Sequence, residues 1–516
     1  MDTMNNSKAT RREWIGLAVI ALPCLVYAMD MTVLNLALPA LSAEFKPSAA
    51  QLLWIVDIYG FMVAGFLITM GTLGDRIGRR KLLLIGAAAF ALASLLAAFA
   101  DTAPMLIAAR ALLGVAGATL APSTMSLIRN MFHDEHQRQF AIGVWIASFS
   151  LGAAIGPLVG GALIEWFWWG SVFLLAVPVM ALTLLLGPLL LPEYQDAQAG
   201  RVDLASVAMS LAAVLATIWG LKRMAEHGVS GLAIVVTLAG LALGWAFVRR
   251  QRHIAYPLLD LGLFRQRTFS AALTAYALSG MAMMGVYIFI TQFLQTVLGL
   301  SPLYAGLATV PWALAFVVGS LAAPQLARRV PDATIIVGGL AVAALAFGAL
   351  TLVDHRYALW VLVAATIAMS LGLAPVFTLG NQIIISAAPP ERAGAASALS
   401  ETSAEFSGAL GIAVFGSVGT LFYRTQLAAT QPAAVPAQAA EQAQATIGGA
   451  LAAAATLPPE IGMPLAAAAR AAFVDTLQLA AAVGAAILVA AALLAARLLR
   501  GPSPQPPRVA SEQIAP

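Results

Sequence analysis

Charge is scarce in this chain. Only 10% of its 516 residues are Asp, Glu, Lys or Arg, while 61% are hydrophobic. Soluble domains carry roughly 25% charged residues, so a soluble enzyme is excluded and a polytopic membrane protein is expected. Cysteine is almost absent too. The single Cys24 rules out an intramolecular disulfide and a thiolate metal cluster. The five histidines fall in loops or at helix ends, which leaves no histidine proton relay at membrane depth. No nucleotide-binding loop is present, which argues against an ATP-driven pump. The net charge of +4 is no nucleic-acid signal, because in a membrane chain the placement of charge matters more than its sum.

What is abundant is the long apolar run. Runs of about 20 apolar residues can cross the hydrocarbon layer as helices. Fourteen are expected, at 14–38, 51–73, 82–100, 105–127, 140–164, 171–191, 203–221, 230–248, 269–298, 303–327, 333–353, 357–380, 394–422 and 471–498. The first is too long for a signal peptide and lacks a small-residue cleavage site, so it is read as a retained helix. Of the 28 Lys and Arg, six (Lys46, Lys222, Arg223, Arg356, Arg424 and Arg470) fall on one side of this topology. Arg110 sits within the fourth span, and the remaining 21 gather on the side of the N-terminus. The positive-inside bias then places both termini in the cytoplasm. The stretch 424–470, rich in Ala, Gln and Pro, reads as a long outside loop whose Ala-rich pieces can form an interfacial helical hairpin. The tail 499–516 reads as disordered. Spans seven and eight contain no acid deep in the membrane and read as a spacer outside any transport path.

Against this background, one carboxylate stands out. In MDMTVLNLALP, Asp30 lies sixteen residues beyond Trp14, where the first apolar run begins. An ionisable group at that depth costs on the order of 2.5–3.5 kcal/mol on insertion scales, so it marks either an acid held by a structural partner or a titratable site facing water. After the second span, GTLGDRIGRRKLL contains Gly71, Asp75, Arg76, Gly78, Arg79 and Arg80. The glycines permit a tight turn, and Asp75 at a helix end can pair with an arginine, giving a breakable charge lock between two helix bundles. In the fourth span Arg110 needs a counter-ion or backbone carbonyls, while Gly114 permits close approach of a neighbour. In the fifth, GAAIGPLVGG places Gly152, Gly156, Gly160 and Gly161 around Pro157, a density that suggests a helix whose deformation matters. HDEH at 133–136 imitates a metal site but reads as a solvated loop, and no metal is expected. Glu165 beside Trp166, Trp168 and Trp169 reads as an interfacial belt.

These motifs together resemble the signatures of the major facilitator superfamily. The loop 71–83 looks like its signature between helices two and three, 110–117 like its fourth-helix signature, and 152–161 like its antiporter signature. Asp30 to Pro39 is similar to the first-helix signature of the fourteen-helix drug:H⁺ antiporters. Asp57 in QLLWIVDIYG brings the chain nearest to the multidrug-cation exporters of the QacA and SmvA type. The resemblance covers all fourteen spans. It implies an all-α fold of two six-helix bundles, 14–191 and 269–498, with spans seven and eight (203–248) inserted between them and residues 1–13 as a cytoplasmic lead. Spans 1, 2, 4, 5, 9, 10, 12 and 13 would line a central cavity. The degenerate QLARRVPDA after span ten agrees with a decayed internal repeat.

In that frame four acids face the cavity: Asp30, Asp57, Glu401 and Glu405. Asp57 would lie roughly 9 Å below the outer surface. Glu401 and Glu405, four apart, share a helix face, and two such close carboxylates repel. This is the equipment of a proton-coupled exporter of lipophilic and quaternary ammonium cations in the bacterial cytoplasmic membrane, with proton and drug competing for at least one carboxylate. The chain would be no enzyme and need no cofactor. Its partners would be small lipophilic cations, protons and membrane lipids, not nucleic acid, and it would act as a monomer. Tyr27 shares a face with Asp30, and Trp54 and Phe61 flank Asp57, so these rings can supply cation–π contact. Met281, Met284, Tyr287 and Gln292 in span nine, with Gln295, and Trp312 in span ten are further pocket candidates. Asn381 and Gln382 are weaker ones. Where some relatives that handle dications carry an acid in span ten, this chain has Trp312 and Phe316. An exporter of one metabolite or of a non-cationic antibiotic, and a receptor built on a transporter scaffold, are the alternative readings.

Overall fold

The computed structural model describes residues 8–195, 203–254, 257–259, 261–353, 358–387 and 393–499. The helices are α1 (Arg11–Phe45), α2 (Ala49–Ile77), α3 (Arg79–Ala98), α4 (Ala103–Gly117), α5 (Leu120–Met131), α6 (Glu135–Trp166), α7 (Ser171–Leu174) and α8 (Ala176–Leu190). They continue with α9 (Leu204–His227), α10 (Gly231–Gln251), α11 (Arg267–Thr296), α12 (Pro302–Ala327) and α13 (Asp332–Leu350). The last are α14 (Ala358–Ala387), α15 (Ala393–Thr430), α16 (Ala437–Ala445), α17 (Ile447–Thr456) and α18 (Pro459–Leu498). Fourteen spans are long and apolar enough to cross a membrane, with α4–α5 and α7–α8 each forming one. The even number puts the start of α1 and the end of α18 on one face, called here the terminal face.

Local chemistry explains where the helices begin. Thr10 and Glu13 form a capping box at α1, and Ser48 and Gln51 form another at α2. Thr102, Asp134, Asp203 and Ser230 cap α4, α6, α9 and α10 through their side-chain oxygens. Asp134 of the HDEH stretch is therefore a helix cap. Gly78 joins α2 to α3 in a single residue at φ 111°, a conformation that favours glycine.

Each half packs on itself first: α1 on α6, α2 on α4 and α3 on α8, then α11 on α15, α13 on α14 and on α18. The largest seams between the halves are α2 against α15 and α6 against α12, with α1 also touching α11. The inserted α9 and α10 pack on each other, and α9 also lies against both α2 and α15.

The expected long loop 424–470 is largely helical. α15 continues to Thr430 and α18 begins at Pro459, so the residues between them fold into the α16–α17 hairpin. This hairpin does not float at an interface. Ala443 and Ala450 are fully buried, and Gly448 meets Ser42 of α1, so it caps the face opposite the termini. That face is called the hairpin face below. The predicted disordered tail lies, from residue 500 onward, outside the described residues.

Candidate functional site: four acids at the helix seams

Asp30 is a partnered acid. The Arg110 guanidinium crosses from α4 and donates to its Oδ2 through Nη1, while Nε donates to the Ile55 carbonyl at 3.2 Å. The Tyr59 ring lies 4.6 Å beneath the guanidinium. Both charges are almost fully buried, at 1% exposure for Arg110 and 7% for Asp30. The approach depends on Gly114. A Cβ there would stand 2.6 Å from the Tyr59 carbonyl oxygen, so only glycine lets α4 come this close to α2. Asp30 thus has a buried basic partner, and the Tyr27 hydroxyl bonds Glu405 instead of Asp30.

Asp57 is also partnered, by a residue the sequence reading placed elsewhere. Lys222 was expected in an outside loop and its helix as a spacer. Instead α9 continues through it to His227, and Lys222 Nζ sits 2.7 Å from Asp57 Oδ2. The same ammonium lies 3.8 Å from the centre of the Trp54 ring. Both side chains are essentially inaccessible, at 1% and 0%. Beside them Phe61, Ile218, Ala409 and Ala413 form a buried cluster with Val214, Leu215 and Phe406 around it. The expectation that Arg110 is the sole cation within the bundle is thus overturned: Lys222 is a second. Its signal was in the sequence. Leu211, Leu215, Ile218 and Lys222 recur at three- and four-residue steps, so the lysine continues the face that packs on α2.

Glu401 and Glu405 remain. The Tyr27 hydroxyl donates to Glu405 Oε1 at 2.8 Å, across the seam from α1 to α15. Glu405 Oε2 is buried without a hydrogen-bond partner. Both glutamates are half-buried, in contrast to Asp30 and Asp57, and neither has an ion-pair partner among those found in the described residues. Tyr27 itself packs against Tyr59 and Phe149. Nearby, Ser400 donates to Asn381 Oδ1 at 2.7 Å. Four acids were expected along one cavity. The structure separates them into two neutralised pairs and one unpaired couple.

The pocket candidates divide similarly. Met281 and Met284 are half-buried against the small residues of α15: the Met281 backbone abuts Gly411, and a Cβ at Gly408 would lie 3.3 Å from Met284 Cγ. Tyr287 packs edge-on to Trp312 with centroids 4.6 Å apart. Gln292 donates to its own helix at the Ile288 carbonyl and borders a cavity of ≈ 50 Å³, far below the roughly 300 Å³ of a drug-sized pocket. Gln295 donates to the Leu36 carbonyl at 3.1 Å and so ties the two halves together.

The glycine-arginine turn departs from expectation in its partners. Arg79 Nε donates to Asp75 at 2.8 Å and its Nη1 to the Pro122 carbonyl at 3.2 Å. The Arg80 amide donates to Glu193 at 3.0 Å, and its guanidinium to the Leu191 carbonyl at 3.0 Å. Arg76 is exposed, Gly71 faces Pro122, and Gly78 leaves room for the Glu193 carboxylate. Among the described residues its partners lie between Gly74 and Gln195, so this lock fastens helices within the first half and does not bridge the halves. Bridging falls to α6. Gly152, Gly156 and Gly160, spaced by four, face Leu25, Met29 and Val33 of α1, whereas Gly161 and Pro157 meet Pro302 and Gly306 of α12. At that end Glu165 accepts from Ser301 at 2.6 Å, so it is a contact between the halves besides being beside the tryptophans.

Comparisons with known proteins agree with this architecture. The chain is 44% identical over 490 residues to the multidrug efflux pump LfrA of Mycolicibacterium smegmatis, covering 95% of this chain and 97% of that one. It is 36% identical to the methyl viologen resistance protein SmvA of Salmonella typhimurium, over 90% of this chain and 93% of that one. Among solved structures it superposes on a bacterial homologue of the human lysosomal transporter Spinster, inward-facing and unoccupied. The TM-score is 0.64 at 19% identity, covering 96% of this chain and all of the other. The model of the Major Facilitator Superfamily matches residues 20–412, and this multi-pass membrane protein belongs to that family of transporters.

Proposed function

We propose that this protein exports lipophilic and quaternary ammonium cations across the bacterial cytoplasmic membrane in exchange for protons. One observation carries the reading: Glu401 and Glu405 are half-buried, share one face of α15, and form no ion pair among the described residues, while the aromatic Tyr27 closes on them from α1. A cation entering between the halves finds negative charge and an aromatic wall there. Protonating the couple weakens that attraction and releases the cargo. Asp30 and Asp57, already neutralised by Arg110 and Lys222, support the couple as the site where protons and drug compete. The relatives' names, a multidrug efflux pump and a methyl viologen resistance protein, support drug export and a cationic cargo.

The terminal face is taken as cytoplasmic, which the arginines Arg76, Arg80, Arg249 and Arg250 along it favour. The hairpin face is then external, and a conformation whose halves meet at Leu36–Gln295, Gly161–Pro302 and Glu165–Ser301 is one closed on the external side. The test is efflux of a fluorescent lipophilic cation from cells, or its accumulation in everted vesicles, carrying this protein. Cation efflux should require the pH gradient and collapse with a protonophore. Transport of neutral or anionic antibiotics alone, or cation efflux indifferent to the gradient, would overturn it.

A further inference from the structure

The ammonium of Lys222 is held the way a cationic ligand is held. It has a carboxylate oxygen at 2.7 Å and an aromatic face at 3.8 Å, and both it and Asp57 are sealed from solvent. Carboxylate and indole face together are a recognition site for an alkylammonium. Here the group that fills it belongs to the inserted helix α9. Among the described residues, neither Asp57 carboxylate oxygen nor Lys222 Nζ has a further side-chain hydrogen-bond partner. Nothing but the tether holds the ammonium there in preference to a free one.

We infer that Trp54 and Asp57 form a cation-binding site, that Lys222 occupies it as a tethered competitor, and that a monovalent alkylammonium or quaternary cation binds there when the tether withdraws. The site's position makes the competition consequential. Trp54 and Asp57 lie on α2 of the first half, and α9 leans across the seam where α2 meets α15 of the second. Any rearrangement that parts α2 from α15 disturbs the bed of Ile218 and Val214 that delivers Lys222. Withdrawal of Lys222 then exposes an unpaired carboxylate near the hairpin ends of the helices. The inserted helix pair therefore acts as a selectivity element and not as a spacer. That the displacing cation is cargo rests on the export reading above; that the site binds a cation does not.

The experiment is chemical rescue of the full-length purified protein. Lys222→Ala removes the ammonium and leaves the space of its stem. Millimolar n-butylammonium should raise the Tm of Lys222→Ala by several degrees, and leave both the wild type and Lys222→Ala/Asp57→Asn unmoved. Equal shifts in all three proteins, or none in Lys222→Ala, would overturn the site. Where Lys222→Ala does not fold alone, the readout becomes the yield of folded protein from cells grown with butylammonium, and absence of rescue overturns it equally. A second arm addresses cargo. Labelled tetraphenylphosphonium should bind Lys222→Gln at least tenfold more tightly than the wild type, with the gain lost in Lys222→Gln/Asp57→Asn. Rescue without that gain keeps the site and removes its role in cargo recognition. Failure of wild-type cation efflux with intact rescue refutes the export reading alone.

Discussion

Gly306 is where the two halves can be pried apart by a single methyl group. A Cβ at this position would lie 2.9 Å from the Pro157 carbonyl carbon and 3.2 Å from Leu158 Cα. Carbon atoms in contact prefer about 3.5–4.0 Å, and the obstacle is backbone, so no side chain can swing aside to relieve it. α6 and α12 must separate locally by about half an ångström or more. Overpacking of this kind costs about 1–3 kcal/mol. Charged wholly to the conformation in which the hairpin ends touch, that cost lowers its population by about 5- to 150-fold relative to one in which they are apart. The assay is a spin-label distance measurement between α6 and α12. Cys24 is fully buried, so cysteines introduced at the exposed Trp166 and Tyr304 should label selectively. Gly306→Ala should shift weight to longer distances. Gly338→Ala is the control, because nothing lies within 4 Å of its added Cβ. If Gly306→Ala and Gly338→Ala give the same distance distribution and the same Tm, the close approach of α6 and α12 does not hold the halves together and the reasoning fails.

Arg110→Gln should destabilise the protein by about 3–5 kcal/mol by leaving Asp30 a lone buried charge, with Asp30→Asn/Arg110→Gln recovering most of it, read as Tm in detergent. Glu405→Gln should abolish gradient-driven cation efflux while the protein remains folded, whereas Tyr27→Phe, which removes one hydrogen bond, should reduce efflux by about tenfold or less. Outside the membrane, the Arg250 guanidinium holds the Asp203 carboxyl below its ordinary value of 3.8. Its contribution is therefore fully present above that value and fades as pH falls through the lowered one. With Arg250 39% exposed, the pair contributes about 0.2–1 kcal/mol. Protection against hydrogen exchange at the start of α9, corrected for the intrinsic rate at each pH, should fall on acidification in the wild type, and Asp203→Asn should lower it at neutral pH and flatten the acid response.

The spans were legible because apolar length is a signal every residue contributes to. The ends were not, and one end mattered. Ending the seventh span at Leu221 treats the first charge as the membrane boundary, an inference that fails when the charge has a buried partner in another helix. Asp57 and Lys222 are 165 residues apart in the chain, and only the packing of α9 on α2 brings them together. Arg110 announced that it needed a counter-ion, yet whether Asp30, Asp57 or a glutamate would supply it depended on which helix Gly114 let approach. The glycine-arginine turn was visible as a turn, while its partner Glu193 lies after α8, at a distance no local spacing encodes. The α16–α17 hairpin shows the same limit: helical propensity was readable in its alanines, and burial against Ser42 was not.

The pairing of charges also bears on how many protons the proposed exchange can use. Asp30, Asp57, Glu401 and Glu405 are the acids expected to carry them. With Asp30 on Arg110 and Asp57 on Lys222, the two of these four that form no ion pair among the described residues are Glu401 and Glu405. Two protons exchanged for one dication move no net charge, whereas two for a monocation carry one charge inward, worth about 2.3 kcal/mol per 100 mV. Span ten carries Trp312 and Phe316 in place of a further acid, so a dication must be neutralised by this one glutamate couple. Efflux of a monocation should then quicken with a more negative interior, and efflux of a dication should ignore membrane potential at fixed pH gradient. Proteoliposomes clamped with potassium and valinomycin separate the two. Equal dependence on potential for both cargoes would mean that a third acid titrates, with Asp57 freed from Lys222 the first to examine.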